Sequence, residues 1–303
     1  MGGDAGTRLQ LDGKTLSLSN LDKVLYPQAG FTKGQVIDYY IRIAPVLLPH
    51  LKDRALTLKR YPNGVEGEFF YEKKCPVFRP KWLKTAPVWS DRNQATINYC
   101  LANDLPSLVW AANLADLELH TSLAHRDQLD RPTFMVFDLD PGPGTDIVDC
   151  CQIGLWLRDF FAELSLQCWP KTSGSKGLQV YVPLNSKVTF EETKNFARQV
   201  AMNFAEQHAD KIVWQMAKVL RKGRVFIDWS QNDHHKTTVC VYSLRAKERP
   251  TVSTPVKWTE VETALKKRSK LAFEADEVLA RVKKHGDLFE PVLKLKQKLP
   301  RIS

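Results

Sequence analysis

Asp138 and Asp140 close the apolar run Phe134-Met135-Val136-Phe137, with Leu139 between them and Pro141-Gly142 behind. In an extended strand, residues two apart share a face, so both carboxylates project together while Leu139 faces the core. Carboxylates that close repel one another unless a cation lies between them, and oxygen ligands suit a hard divalent ion. The plainer reading is that these acids open the turn Pro141-Gly142-Pro143-Gly144, which accounts for one aspartate but not for two on one face. Val225-Phe226-Ile227-Asp228-Trp229 again ends an apolar strand with an acid. Three acids on neighbouring strands would let two metal ions share ligands, activating an attacking oxygen and stabilising a leaving one. The D-x-D pattern also occurs in haloacid-dehalogenase-type phosphatases and nucleotide-sugar glycosyltransferases. The phosphatase pattern wants Thr or Val where Gly142 stands; the glycosyltransferase pattern passes that test.

Lys171-Thr172-Ser173-Gly174-Ser175-Lys176-Gly177 lies between two expected strands. Glycines let successive backbone N–H groups converge on an anion, and Ser hydroxyls and a Lys ammonium add donors. The spacing is not that of a Walker A loop. A tight Gly-Ser hairpin with an incidental lysine fits equally well by itself; beside three acids the loop reads as a triphosphate cradle. His120, ending Leu117-Glu118-Leu119, and the basic residues Arg221, Lys222, Arg224 and Arg245 are, taken singly, more often structural or surface residues.

The elements that must hold these residues can be read from periodicity. Thr7–Leu11 and Thr15–Leu18 alternate polar and apolar around Asp12-Gly13 and predict a hairpin. Thr32 and Gln35 form a capping box for a helix towards Leu47, which Pro45 should kink or shorten. Strands are expected at 55–61, 68–71, 96–101, 117–120, 133–139, 167–169, 178–182, 224–229 and 237–242, and helices at 105–114, 146–164 and 189–208. From Trp258 onward the chain reads as helical, with Lys266, Lys267, Lys270, Lys283, Lys284, Lys294, Lys296 and Lys298 as a solvated face. Strands and helices mix without regular βαβ alternation, so the fold class is α+β, with mixed or antiparallel sheets.

Composition sets the outer bounds. With 303 residues and 43% hydrophobic content the chain can bury a sizeable core, which excludes disordered and fibrous classes. Lys and Arg exceed Asp and Glu by 44 to 34, favouring a polyanionic partner. Cys75, Cys100, Cys150, Cys151, Cys168 and Cys240 contain no C-x-x-C pair. All six are expected to be reduced and packing rather than a zinc site. Residues 1–6 look like a flexible start. No leader peptide or membrane-spanning run is apparent, so a cytoplasmic location and no membrane partner are expected.

Taken together, these residues resemble the polymerase domain of bacterial DNA ligase D, a branch of the archaeo-eukaryotic primase superfamily that serves non-homologous end joining. The matching stretches run Ser19 to Pro27, Lys59 to Val65, Phe137 to Pro141, Thr172 to Leu178 and Phe226 to Asn232, and with the segments between them cover nearly the whole chain. Each piece is common; their combination in this order is specific. The resemblance implies one primase-polymerase domain over 1–303: an N-terminal part with a 5′-phosphate pocket, a catalytic core at about 115–245 with a central cleft, and a helical Lys-rich part at about 258–303.

The resemblance also implies roles. Asp138, Asp140 and Asp228 match metal-binding acids, with two manganese (or magnesium) ions. Ser173 and Lys176 match triphosphate contacts, with Arg245 and His120 also at the incoming NTP or dNTP; Lys59, Arg221 and Gln231 match further nucleotide-side positions. Asn20, Lys23 and Lys33 match a pocket for the 5′-phosphate of a downstream DNA strand, and Phe69 and Phe70 match residues that stack on the template. Two adjacent aromatics on a strand should nevertheless leave one of them in the core. Ribonucleotide preference, gap filling, ligase and nuclease modules in the same polypeptide, a Ku-type partner and a bacterial, nucleoid-associated setting belong to the same implication. One departure stands out: many superfamily members carry His where Gln179 stands, which weakens any charged contact there. A non-catalytic module for DNA ends and a manganese-dependent glycosyltransferase are the competing readings.

Overall fold

The computed structural model describes residues 7–91 and 93–300; the expected flexible start at 1–6 lies outside them. The chain opens with β1 (Thr7–Leu11) and β2 (Lys14–Leu18), the expected hairpin, then β3 (Val24–Tyr26) and β4 (Phe31–Thr32). Helix α1 (Lys33–Leu51) follows, with the Thr32–Gln35 capping box formed in both directions. It passes Pro45 and Pro49 without ending. Tyr40, Ile43, Leu47 and Leu51 lie in one core on both sides of Pro45, and that shared burial outweighs the lost backbone hydrogen bond.

Next come β5 (Leu56–Arg60), β6 (Phe70–Glu72), β7 (Thr85–Ser90), β8 (Ala95–Cys100), α2 (Leu105–Asn113) and β9 (Asp116–Thr121). Strand β7 was not expected; it carries Pro87, which is tolerated because β7 lies at the edge of its sheet. Cys75 and Cys100 form a disulfide, which corrects the expectation that all six cysteines are reduced; the other four are free and buried. The Cys75 amide donates to the Asn98 carbonyl and lays the preceding loop along β8, with the two Cα atoms 5.0 Å apart. A spacing of 25 residues carries no signal of that contact.

The second half contains β10 (Phe134–Pro141), α3 (Ile147–Glu163), β11 (Trp169–Thr172), β12 (Leu178–Pro183), α4 (Phe190–Gln207), β13 (Ile212–Val213), β14 (Val225–Asp228) and β15 (Thr238–Val239). Helices α5 (Trp258–Lys267), α6 (Ala275–His285) and α7 (Glu290–Lys294) complete it, with the named tail lysines exposed. Strand β11 lies further along than the expected 167–169. As an edge strand it accepts Pro170. Strand β15 is shorter than the expected 237–242, because Tyr242 takes a positive φ of 64° and its amide turns to the Ser253 carbonyl.

Besides the two-stranded β1–β2 and β3–β4 pairs, two larger sheets result, an α+β architecture as expected. One has the order β15-β9-β5-β8-β7, with β6 on β5; the other is β11-β12-β10-β14-β13, antiparallel except for β13 on β14. Strand β10 is buried on both faces. Phe134 and Val136 enter the core shared with α1, α2, β5 and β9, while Met135, Phe137 and Leu139 enter the core shared with α3 and α4. Asp138 and Asp140 continue the first face and so point towards the first sheet.

Asn232 ties this strand to the segment that follows β14. Its Oδ1 accepts from the Val136 amide at 2.8 Å, and its Nδ2 donates to Val136 O at 2.8 Å and Trp229 O at 2.9 Å. The side chain is fully buried. Asn232→Ala is expected to cost about 2–4 kcal/mol, because it strands buried backbone groups. Urea unfolding checks this; an unchanged midpoint would show that the strand holds without Asn232.

Candidate active site

The register of the second sheet builds the site. Asp138 pairs with Asp228 on one side and with Gln179 on the other, and Gln179 pairs with Lys171. Lys171, Gln179, Asp138 and Asp228 therefore form one row across four strands, all on one face. Asp140 lies two residues along from Asp138 on that face, opposite Phe226. The three acids expected to gather are thus brought together by β10 and β14.

Their surroundings fit a cation. Asp138 Oδ1 is buried without a hydrogen-bond partner. Burial, then Asp140 and Asp228, push the Asp138 carboxyl up to about 7. Asp140 is also raised, by burial and then Asp228, against the pull of Arg221 and Arg245. Asp228 is fixed in place: Oδ1 accepts from the Ser230 amide at 2.9 Å and its hydroxyl at 2.5 Å, and Oδ2 from Gln231 Nε2 at 3.0 Å. Repelling acids around an orphaned buried oxygen are what a divalent ion would relieve.

Asp138 and Asp140 form the floor of a cleft of about 460 Å³ between the sheets, lined also by His120, Ser173, Lys176, Gln179, Arg221, Gln231 and Arg245, with Asp228 buried beside them. Ser173 Oγ accepts from the Ser175 and Gly177 amides at 3.2 and 3.1 Å, which leaves its O–H to donate. Gly177 permits the close approach of this loop: a Cβ there would lie 2.1 Å from Leu139 O. Gly142 does the same on the other side, where a Cβ would meet Arg221 O at 1.8 Å. Arg221 stacks on Phe226, 3.7 Å from the ring centroid, beside Asp140.

Sequence reasoning missed Glu118 and Lys171. Glu118 is 1% exposed, with His120 Nε2 at 3.0 Å, Lys59 Nζ at 3.2 Å and Arg245 Nε at 3.3 Å. Its Oε1 also accepts from the Ala246 amide at 3.1 Å. One buried carboxylate thus holds three of the expected nucleotide-side residues. Burial alone would raise it, yet His120, Arg245 and Lys59 hold it well below the usual carboxylate range. Burial lowers His120 despite Glu118, and its Nε2 faces the Glu118 carboxylate at 3.0 Å. Glu118 and His120 share a strand face at spacing two, a signal that was available. Lys171 is fully buried and donates to Gln179 Oε1, Ser253 Oγ and Val239 O; burial brings it down to about 7. Gln179 Oε1 thus accepts from a buried lysine, and Gln179 supplies no charge of its own.

Asn20, Lys23 and Lys33 also come together. The Lys23 amide donates to Asn20 O, the Lys33 amide to Lys23 O, and Lys33 Nζ to Ser19 O at 2.7 Å. Asn20 has the positive φ of 53° that asparagine tolerates, and Lys33 opens α1, where backbone N–H groups favour an anion. Phe69 and Phe70 are 49% and 55% exposed, which overturns the expectation that one is in the core. Strand β6 starts only at Phe70 and pairs with β5 alone, and Phe69 packs instead on Tyr61 and on Lys59 Nζ, 4.7 Å from its centroid.

Three neighbouring aspartates beside a loop carrying Ser173 and Lys176, between two sheets of an α+β fold, have the form of a metal-dependent nucleotidyltransferase site. The family model for the LigD primase-polymerase domain matches residues 32–289, and the chain belongs to that family of DNA-directed nucleotidyltransferases. It is 41% identical over 277 residues to the multifunctional non-homologous end joining protein LigD of Mycolicibacterium smegmatis, covering 91% of this chain and 36% of that protein. It is 30% identical over 272 residues to the bifunctional LigD of Bacillus subtilis, covering 89% and 43%. The chain thus spans 36% and 43% of the length of these two relatives. Among solved structures, the polymerase domain from Mycobacterium tuberculosis ligase D in complex with DNA superposes with a TM-score of 0.85 at 36% identity, covering 92% of this chain and 98% of that one. Membership in this family removes the glycosyltransferase reading.

Proposed function

We propose that this chain extends DNA ends and fills short gaps from nucleoside triphosphates, preferring ribonucleotides, in bacterial non-homologous end joining. The observation that carries the reading is the Asp138–Asp228 pairing with Asp140 beside it, where Asp138 and Asp140 line the same cleft as Ser173, Lys176 and Arg245. Asp138, Asp140 and Asp228 would hold two divalent ions, manganese by preference. When bound, such ions lower the pKa of an attacking hydroxyl and take up charge on a departing pyrophosphate. Ser173 donates its hydroxyl to the triphosphate, Lys176 and Arg245 neutralise it, and Glu118 holds Arg245 and His120 at the cleft with Lys59 beside them. Arg221 and Gln231 flank the nucleotide from the β14 side. Phe69 and Phe70, exposed and adjacent, offer a sequence-tolerant stacking surface for a template strand.

The same reading places a downstream 5′-phosphate at Asn20, Lys23 and Lys33. Partner ligase and nuclease modules in a longer polypeptide, a Ku-type end-binding protein and a nucleoid setting in the cytoplasm belong to it. Among the described residues no helix is long and apolar enough to cross a membrane. The test is incorporation of labelled UTP or ATP on a gapped duplex with a 5′-phosphate, in manganese, magnesium or chelator. Metal-dependent extension is expected; binding without incorporation would return the chain to a non-catalytic end module.

A pH dependence follows for the phosphate pocket. Lys33 is brought down to about 8 by burial, then by Lys23 and Arg60. Its charge is therefore present below that value and lost as pH rises through it. The preference for 5′-phosphorylated over 5′-hydroxyl gaps should fall roughly tenfold on that rise, the worth of one charge-assisted hydrogen bond. Fluorescence anisotropy on the two duplexes measures it; a preference flat with pH would remove Lys33 from the contact.

A further inference from the structure

We infer that Asp91, His234 and His235 form a second metal site, separate from the aspartates, for a borderline transition ion such as Zn2+. Asp91 lies just beyond β7, at the tip of the β7–β8 hairpin, and the two histidines lie in the turn leading into β15. Their ligand atoms all fall within 4.8 Å of one another. Asp91 Oδ2 is 3.2 Å from His235 Nε2 and 3.9 Å from His234 Nε2. A tetrahedral ion with bonds of about 2.0–2.1 Å sets its ligands roughly 3.3–3.4 Å apart, between those two separations.

The donor set selects the ion. Two imidazoles and one carboxylate suit Zn2+, Co2+ or Ni2+, whereas the all-oxygen set at Asp138, Asp140 and Asp228 suits Mg2+ or Mn2+. Neighbours orient the ligands, as they do around protein-bound metals. Asp91 Oδ1 accepts from Trp89 Nε1 at 3.0 Å, which leaves Oδ2 free for the histidines. Asp233 Oδ1 accepts from the His235 amide at 2.9 Å and lies 3.7 Å from His234 Nδ1, while Asp233 Oδ2 is anchored by Lys194. His234 thus has a carboxylate at each ring nitrogen. The imidazole centroids are only 3.6 Å apart, a spacing that two imidazolium charges would oppose and a shared cation accommodates. All three side chains are about half exposed, so ions in solution reach them and water can complete the coordination. A bound ion would pin the hairpin to the segment whose next residues, Thr237, Thr238 and Val239, line the nucleotide cleft.

The test uses the full chain stripped with chelator and titrated with Co2+ in excess Mg2+, followed by the visible absorption of the bound cobalt, then with Zn2+ by competition. Wild type should bind one equivalent more than His234→Ala/His235→Ala, and Asp91→Asn should bind that equivalent at least tenfold more weakly. Zn2+ should also slow amide exchange in residues 85–100 of wild type alone. Equal stoichiometry in wild type and the double variant, or unchanged affinity in Asp91→Asn, would overturn the site. Asp140→Ala should retain this equivalent, so the result is independent of the polymerase reading.

Discussion

Asp140→Ala is expected to lose primer extension by about a thousandfold or more while DNA binding stays close to wild type. Asp140 lies beside the Asp138–Asp228 pair and projects into the cleft, whereas the proposed DNA contacts at Lys23, Lys33 and Phe69 belong to other elements. Charge stabilisation by a bound metal is worth several kcal/mol, and each 1.4 kcal/mol or so is tenfold in rate. Folding should not suffer. Removing one of three mutually repelling acids relieves the tension that raises Asp138 and Asp140. Single-turnover extension and gel-shift binding on the same duplex check both halves. Wild-type-like extension would refute the metal role.

Glu118→Ala should be the most damaging substitution away from the acids. It leaves Lys59 and Arg245 without their buried counter-charge, a change that costs about 3–5 kcal/mol for a broken buried pair. Loss of nucleotide affinity should accompany the loss of stability, because the same carboxylate orients Lys59, His120 and Arg245. Glu118→Gln keeps the shape and the acceptor oxygen, so it should be milder. The pH dependence has a definite sign. Glu118 is held below the usual carboxylate range, so its contribution is fully present above the unfolded value of about 4.3 and lost as pH falls below it. The stability gap between wild type and Glu118→Gln should therefore be constant near neutrality and close on acidification. A gap that widens in acid would show that Glu118 is not the charged partner.

The apolar strands and their acids were readable because β10 and β14 carry strong local signals: runs of core residues ending in aspartate. The capping boxes at Thr32 and Thr189 were equally local. What escaped was decided by position in a sheet. Pro87 and Pro170 look like strand breakers, yet β7 and β11 are edge strands that tolerate them. The Cys75–Cys100 bond depends on a loop crossing β8, which spacing does not encode. Lys171 reads as part of a polar loop, and only the register with Gln179 shows it as a buried end of the polar row. Glu118 lies in an apolar-looking strand, and its importance comes from Arg245, which is distant in sequence and near in space. Strand alternation would bury one of Phe69 and Phe70, but the strand begins only at the second of them and both are exposed.

The Lys171–Gln179–Asp138–Asp228 row has a consequence for how such a domain can change over time. Its members come from four strands, and side chains alternate faces every residue. A point substitution alters one position and leaves the others in place. Adding or deleting a single residue within β10, β12 or β14 would turn every residue beyond it to the opposite face and dismantle the row at once. Length variation should therefore be confined to connections outside these strands and away from the cleft loop 173–177, while the strands admit changes of residue type only.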